Sequence, residues 1–534
     1  HSRQGTVSTK NSEGRQRMKK AQLPLLLAMA TLATQSLAAD PKVLTISQGV
    51  DATTFDPAQV SSRNESNMLD NLFGTLYKIR ADGNLTPFLA KSYKVSEDGK
   101  RWTFTLNEGL TCQDGEALTA EDVAYSFNRA ADPNAKFTGN TPGFVYSSIQ
   151  FKKATALNNT DVEFEVGTYN PITLGMIAEV YVHCKDSYEK MSRDEAARKP
   201  IGSGPYKFVE WVKDDRVVFA RNESFKLDPA KFDRVVWRTI PEGSTRVAEL
   251  LAGNIDIITN VSPDQKKTVD ASGAASVIAI QGTRRIYVGF NQKEKFQNTK
   301  GGQAITKPEV RRALQYAVDV PTICSTFFGL ECKRATSPVN EPNNNTSLVP
   351  YPYDPARAEK LLDEAGYRKG PDGVRFELTL QSPNGRYYGD ANVALTIGQF
   401  FSDIGVKTTV TPMEWTSVYV PLIRAHDAGP LFFLGTGGDT WNAAYDLADF
   451  SSPKAGTNYT EWNDPVFFDM WKELYATRDA AEQKKITDKM QARFYEQAPW
   501  LFLYFQPNFY GVAKRVNWQP RRDERIDLAD VAVK

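Results

Sequence analysis

The sequence predicts an α/β protein whose domains are interleaved along the chain. The first third is rich in strand and hairpin signals, whereas strands alternate with helices from about residue 234 onward, as in βα units. The 534 residues are enough for two to four domains of about 150 residues each. Because no Gly/Ser/Pro-rich linker separates these regions, we expect the chain to cross between domains.

The first third begins with a buried strand at 43–46, followed by a Thr- and Asp-rich loop. Apolar residues at i, i+1, i+4, i+5 and i+8 predict a helix over 66–79. Residues 93–106 alternate around a Glu-Asp-Gly-Lys turn and predict a hairpin. Thr119 as N-cap and Asp122 at N3 indicate the start of another helix.

The rest of the chain continues with strands and then with βα units. A hairpin arm is predicted at 155–166 and a strand–turn–strand at 202–222. Asp354, Pro355 and Gly366 are typical of a helix N-cap, first turn and C-terminal cap. The predicted strands are 235–240, 255–258, 376–382, 406–413 and 430–436, and the predicted helices are 244–254, 308–319, 354–366 and 393–405.

Composition excludes several classes of function. With 65 basic and 64 acidic side chains the net charge is +1, which argues against a nucleic-acid binder. The three histidines, His1, His183 and His426, are far apart in sequence and make poor material for a metal site or a catalytic triad. We therefore expect neither a metal nor a cofactor.

The N-terminal region predicts export. Residues 18–38 combine a basic start, an apolar stretch of about ten residues and small residues at the cleavage site, as in a secretory signal peptide. Residues 1–17 are polar and look like a tag or a misplaced start. No cysteine follows the cleavage point, so we expect a periplasmic protein without a lipid anchor.

An exported protein meets an oxidising compartment, which makes the four cysteines interpretable. Cys324 and Cys332 are eight residues apart, across a predicted helix end and turn, and close enough to pair. That pairing leaves Cys112 with Cys184, although four cysteines allow three pairings. The absence of a C-x-x-C motif disfavours a metal site.

A set of short motifs follows a fixed order along nearly the whole chain. The motifs are Thr54-Phe55-Asp56-Pro57, Leu89–Tyr93, Ser96–Gly99 with Trp102-Thr103-Phe104, Asp114-Gly115 with Leu118–Val123, Gly202–Tyr206, Gly289-Phe290-Asn291, Arg311–Leu314, Tyr353-Asp354-Pro355 and Glu364–Tyr367. Each motif is weak alone, but in this order the chain resembles the peptide/nickel/opine group of solute-binding proteins, family 5 of the ABC-importer receptors.

The resemblance implies a type II periplasmic-binding-protein fold, a Venus flytrap of two α/β lobes with an extra domain inserted in the first. A ligand binds between the lobes, which close on a hinge, and the receptor delivers it to inner-membrane ABC permease subunits. We expect a monomer that binds no nucleic acid. The implied division is lobe I at 39–75, 203–285 and 508–534, the extra domain at 76–202, and lobe II at 286–507.

Two charged residues carry the peptide-binding hypothesis that the resemblance implies. Asp439, in a glycine-rich loop beside Gly435, matches the Asp that pairs with a peptide's ammonium group. Its alternative role is an Asx turn that caps a helix. Arg386, with Tyr387 beside it, matches the Arg that binds the ligand carboxylate, for which a planar guanidinium fork is suited. Its alternative is a solvated loop arginine.

Further candidates are less specific. Trp415 aligns with a pocket-lining aromatic of the family, and Trp441 follows Asp439 by two residues, but either could be ordinary packing. Thr53 and Thr54, on a loop of the first lobe, could bond a ligand backbone from the opposite side.

The ligand class stays open between two hypotheses. The loop after Asp439 lacks the Pro-Asp pair that is common in the family, so an opine, a sugar-phosphate conjugate or a glutathione-like compound is the alternative to di- and oligopeptides. A secreted hydrolase is disfavoured because neither a G-x-S-x-G nor an H-E-x-x-H motif occurs. We expect no enzymatic activity.

Overall fold

A computed structural model of the protein describes residues 42–437 and 441–534. The strands are β1 (Val43–Gln48), β2 (Tyr77–Ile79), β3 (Leu85–Pro87), β4 (Ala90–Val95), β5 (Arg101–Leu106), β6 (Phe151–Ala156), β7 (Asp161–Val166), β8 (Tyr206–Val212), β9 (Arg216–Arg221), β10 (Arg234–Thr239), β11 (Ile257–Ile258), β12 (Ala275–Phe290), β13 (Phe376–Pro383), β14 (Val406–Met413), β15 (Leu431–Thr436), β16 (Trp500–Ala513), β17 (Val516–Asn517) and β18 (Ala532–Val533). The α-helices are α1 (Arg63–Leu72), α2 (Ala120–Ala131), α3 (Tyr146–Ile149), α4 (Thr173–Ile177), α5 (Lys185–Lys190), α6 (Arg193–Arg198), α7 (Gly243–Leu251), α8 (Lys266–Ala271), α9 (Lys300–Ala304), α10 (Pro308–Gln315), α11 (Val320–Phe328), α12 (Pro355–Glu364), α13 (Asp390–Asp403), α14 (Val420–Arg424), α15 (Ala443–Leu447), α16 (Pro465–Ala476) and α17 (Ala480–Gln497).

Ten strands form one mixed sheet that runs through both lobes, in the order β14-β13-β15-β12-β16-β11-β1-β10-β9-β8. The two longest strands, β12 and β16, lie in the middle and pair antiparallel. Lobe II is the part built on β13, β14 and β15, and lobe I is the part built on β1 and β8 to β11. This arrangement confirms the predicted α/β fold.

The β12–β16 ladder, which lies between the strands of lobe I and those of lobe II, is irregular along its length. Gln281 pairs with Pro507 and Arg285 pairs with Phe505, so the register shifts over 282–284. The implied boundaries, after residue 285 and after residue 507, lie beside this irregularity and stay a prediction. The position matters because strands that connect two lobes are where such lobes can rotate.

A separate four-stranded antiparallel sheet, in the order β4-β5-β7-β6, lies between α1 and β8 in the chain. Helix α2 begins at the predicted N-cap: Thr119 and Asp122 form the capping box, with the Thr119 N–H donating to the Asp122 carboxylate at 2.7 Å. The predicted hairpin over 93–106 is the β4–β5 pair.

The helix predicted over 66–79 is wrong in its bounds. The observed helix, α1, spans Arg63–Leu72, and the backbone at Phe73 is extended. Gly74 then pairs with Val182, and a side chain at Gly74 would meet Leu89 at 2.7 Å, so the close approach of another segment ends the helix. Leu76 is fully buried although it lies in the segment between α1 and β2, and apolar spacing alone could not distinguish its burial from that of a helix residue.

The four cysteines lie in the two pairs that the spacing favoured. Cys112 joins Cys184 and Cys324 joins Cys332, with Cα–Cα distances of 6.2 and 5.9 Å. Among the helices of residues 42–437 and 441–534, none combines the length and the hydropathy that a membrane span requires.

Candidate functional site

A polar cleft of about 500 Å³ lies where the two lobes meet at the crossing strands. Strands β13 and β15 are parallel, so the segments that follow them reach the same edge of the sheet. Helix α1 and the segment after β11 supply the opposite wall. The cleft is lined by Arg63, Asn64, Asn67, Thr259, Asn260, Arg284, Gly385, Arg386, Tyr387, Tyr388, Gln506, Asn508, Tyr510 and Glu524.

The loop after β13 is organised by one buried carboxylate. Asp390, the first residue of α13, accepts backbone N–H donations from Gly385, Arg386 and Tyr387 at 2.9, 2.8 and 3.0 Å, and a fourth from Ala391 at 2.8 Å. The four bonds satisfy a charge that is 2% exposed. Asp390 therefore sets the conformation of the loop that carries Arg386.

Arg386 itself is exposed in the cleft. Its guanidinium lies 5.1 Å from the centre of the Tyr387 ring and 5.3 Å from that of Trp415. Among the described residues it has no acidic partner. An exposed guanidinium that is held by aromatic faces and free of a carboxylate is suited to an anionic ligand group.

Tyr387 lines the cleft, whereas the predicted site residue Gly435 lies against the Tyr387 ring and outside the lining. The Tyr387 hydroxyl donates to the Gly435 carbonyl oxygen at 2.9 Å, and burial raises the pKa of this tyrosine. A Cβ at Gly435 would lie 2.7 Å from the Tyr387 ring, so only glycine leaves the ring its place. Trp415 is half-buried behind them, with its ring centre 6.0 Å from that of Tyr387.

Asp439 lies outside the described residues, but the chain before it is anchored. Arg285 is 4% exposed, donates to the Thr436 hydroxyl at 3.0 Å and to the Gly437 carbonyl at 3.3 Å, and pairs with Asp446 at 2.8 Å. The start of the glycine-rich loop therefore rests on a buried ion pair.

Trp441 packs into the protein away from the lining of the cleft. Its indole N–H donates to Asp523 at 3.1 Å, and the Arg522 guanidinium lies 5.4 Å from its ring. Gly83 leaves room for it, because a Cβ there would come within 2.8 Å of Trp441. The side chain connects lobe II to the C-terminal segment, which sequence spacing from Asp439 could not reveal.

Thr53 and Thr54 also lie away from the lining of this cleft. The Thr53 N–H and hydroxyl both donate to Glu65, at 2.8 and 2.5 Å, and the Thr54 hydroxyl accepts from the Asp56 N–H at 3.0 Å. Glu65 is also the N3 residue of the α1 capping box. The two threonines thus hold the loop against the helix start.

Sequence reasoning missed two residues of this site. Asp390 could have been suspected as an acid at the first turn of a predicted helix, directly after the candidate loop. Arg284 carries no such local signal. It lines the cleft only because the crossing strand brings it opposite the loop after β13, with its guanidinium 5.9 Å from the Tyr387 ring centre.

A two-lobed α/β fold with a polar cleft at the lobe crossing defines the class of ligand-capturing receptors. The sequence profile of bacterial extracellular solute-binding proteins, family 5 Middle, matches residues 84–458, more than half of the chain. The protein belongs to this family, whose members are substrate-binding receptors of ABC transport rather than enzymes.

The relatives cover most of the chain. Heme-binding protein A of Haemophilus influenzae is 28% identical over 471 residues, 81% of each chain. Glutathione-binding protein GsiB of Pectobacterium atrosepticum is 26% identical over 485 residues, covering 88% of this chain and 90% of the relative.

Solved structures show the same fold. HbpA2 from Haemophilus parasuis superposes with a TM-score of 0.81 at 21% identity, covering 92% of this chain and 100% of that one. DppA from Helicobacter pylori, in complex with the peptide STSA, gives 0.70 at 22% identity, covering 92% and 98%.

Proposed function

We propose that the protein captures short peptides in the cleft between its lobes and delivers them to ABC permease subunits. The observation that carries this proposal is Arg386, an exposed guanidinium in the cleft without an acidic partner in the described part of the chain. Asp390 holds its loop in place. A peptide carboxylate is the ligand group that such a fork binds in two parallel hydrogen bonds.

Closure completes the site in this proposal. The lobes rotate about the irregular register at 281–285 and 505–507, and the ligand stabilises the closed state because only that state contacts it from both walls. Closure also expels water, which strengthens each charge pair with the ligand. By the family resemblance, Asp439 pairs with the ammonium group at the other end of the peptide.

Calorimetry with dipeptides tests the assignment. Arg386→Ala and Asp439→Asn should each weaken the binding of Ala-Gln by about tenfold or more, because a charge pair in a closed cleft is worth a few kcal/mol. Arg101→Ala, an exposed arginine of β5, is the control and should bind as the unaltered protein does. Affinity that survives both substitutions would overturn the peptide assignment.

Mass spectrometry of ligand that co-purifies with the protein separates the ligand classes. A mixture of di- and tripeptides supports the proposal, whereas a single glutathione-like, opine or sugar-phosphate compound supports the alternative. The alternative is favoured by one observation, since a relative that covers 88% of this chain is a glutathione-binding protein.

We also propose that the receptor acts as a periplasmic monomer after removal of residues 18–38. These residues lie outside the described part of the chain. Sequencing of the mature N-terminus after periplasmic extraction should place the first residue directly after Ala38. A retained leader would contradict export by a cleaved signal.

A further inference from the structure

We propose that Arg284 is a second anion-binding residue of the cleft, and that the preferred ligand carries two acidic groups rather than one. This inference rests on the proposed capture of a ligand in this cleft. It concerns the charge of that ligand, which the capture of a peptide by Arg386 does not determine.

The position of Arg284 comes from the lobe crossing. It lies within the irregular stretch of β12, where the register shifts between Gln281 and Arg285, and its side chain is half-buried in the lining of the cleft. The next residue, Arg285, pairs with Thr436 at the end of β15, so Arg284 lies beside the end of that strand. A residue at this point faces a ligand in the cleft from the hinge side.

Arg284 and Arg386 face one aromatic ring. The guanidinium of Arg284 lies 5.9 Å from the ring centre of Tyr387, and that of Arg386 lies 5.1 Å from it. Both charges are thus within reach of one small ligand. Over residues 42–437 and 441–534, neither guanidinium forms an ion pair with a carboxylate; the nearby Asp390 carboxylate is occupied by backbone N–H groups of the loop.

The opposite wall carries Arg63, and Glu524 lines the cleft near both walls. In addition to burial, the charge of Glu524 acts to raise the pKa of Tyr510 and that of Tyr388, which follows Arg386 by two residues. The remaining polar side chains of that wall are amides and a threonine, among them Asn67, Thr259 and Asn508. The described lining thus carries three arginines and one acid, and Arg284 and Arg386 have no carboxylate within ion-pair distance in the described part of the chain.

This arrangement points to a ligand with a carboxylate for each guanidinium. A peptide with an acidic side chain, or a γ-glutamyl peptide, has two carboxylates and one ammonium group. A phosphorylated compound offers comparable charge in another geometry. A neutral dipeptide has a single carboxylate and leaves one guanidinium without a partner in the closed cleft, which is unfavourable once water is excluded.

Two dipeptides of nearly equal size, Ala-Glu and Ala-Gln, test the inference because they differ by one charge. Calorimetry should give Ala-Glu an affinity about tenfold or more above that of Ala-Gln in the unaltered protein. Arg284→Gln should reduce this ratio to below about twofold, and Arg284→Lys should leave an intermediate ratio, because the charge remains while the fork is lost. Arg101→Gln, which removes the same net charge outside the cleft, should leave both affinities unchanged.

The outcomes separate this inference from the proposed function. Equal binding of both dipeptides by the unaltered protein, or an equal loss of both in Arg284→Gln, overturns the role of Arg284 while leaving peptide capture intact. Binding of neither dipeptide overturns peptide capture. In that case glutathione and inorganic pyrophosphate decide the inference: thermal stabilisation by either probe that is lost in Arg284→Gln supports it, and stabilisation by neither, or stabilisation that Arg284→Gln retains, overturns it.

Discussion

Arg284 and Arg285 are neighbours on one strand, and their surroundings differ sharply. Arg285 is buried and pairs with Asp446 and Asp449 at 2.8 and 3.4 Å. Arg284 lines the cleft and, among the described residues, has only the Tyr387 ring as a close charge-stabilising contact. Successive side chains of an extended segment point to opposite sides, so adjacent residues enter different environments. A buried guanidinium is neutralised within the chain, whereas a cleft guanidinium remains available to a ligand.

The largest expected effect tests the buried side of this comparison. Arg285→Met should lower the free energy of unfolding by about 3–5 kcal/mol, because the buried carboxylate of Asp446 and the half-buried one of Asp449 lose their counter-charge. Urea unfolding measures the loss, and Arg101→Met on the exposed face of β5 is the control. A loss below about 1 kcal/mol, as for a surface pair, would contradict the structural role.

The next effect concerns the loop that presents Arg386. Asp390→Ala should cost about 1–3 kcal/mol of stability, because four backbone N–H groups, that of Tyr387 buried, lose their shared acceptor. It should also weaken Ala-Gln binding, since Arg386 is no longer held, and Asp390→Asn should restore part of both. Asp403→Ala, at the exposed end of the same helix, is the matched control. Calorimetry that finds the affinity of Asp390→Ala unchanged would show that the loop needs no such anchor.

The pH dependence of stability extends the comparison to two buried carboxyl groups, Asp446 and Asp523, whose arginine partners differ in number. At Asp446, burial raises the pKa above 3.8 and the single Arg285, shared with Asp449, does not offset it. At Asp523, burial also acts to raise the pKa, but the combined attraction of Arg521 and Arg525 outweighs burial, so the pKa falls below 3.8. A raised carboxyl pKa contributes stability below pH 3.8 that is lost as pH rises, and a lowered one contributes stability above pH 3.8 that is lost as pH falls.

Thermal unfolding from pH 2 to pH 6 measures this contrast. The quantity to compare, at each pH, is the stability of the unaltered protein minus the stability of the variant. For Asp446→Asn the difference should shrink as pH rises above about 4, and for Asp523→Asn it should shrink as pH falls below about 4. Differences that change in the same direction for both variants would contradict the opposite balance of charges.

The smallest effect is expected at Thr53, which the sequence suggested as a ligand contact and the structure bonds to Glu65. Thr53→Val should cost about 1 kcal/mol of stability, through one lost hydrogen bond, and leave Ala-Gln affinity unchanged. Calorimetry that gives a loss of about tenfold, or 1.4 kcal/mol, would return Thr53 to the ligand site.

Much of the fold could be predicted because its signals are local. The capping box of Thr119 and Asp122, the hairpin over 93–106 and the strand at β13 each depend on residues that are near in sequence. The end of α1 could not be predicted, because a distant segment packed against Gly74 terminates it.

The sequence by itself determined the α/β class, most element positions, the cysteine pairs that spacing favours, and Arg386 as a cleft candidate. Only the tertiary structure decided which polar residues face the cleft. It placed Trp441 against Asp523 and Thr53 against Glu65, and it brought Arg284 beside Tyr387. The physical reason is range: caps and turns are specified within a few residues, whereas the environment of a side chain depends on pairing between strands hundreds of residues apart.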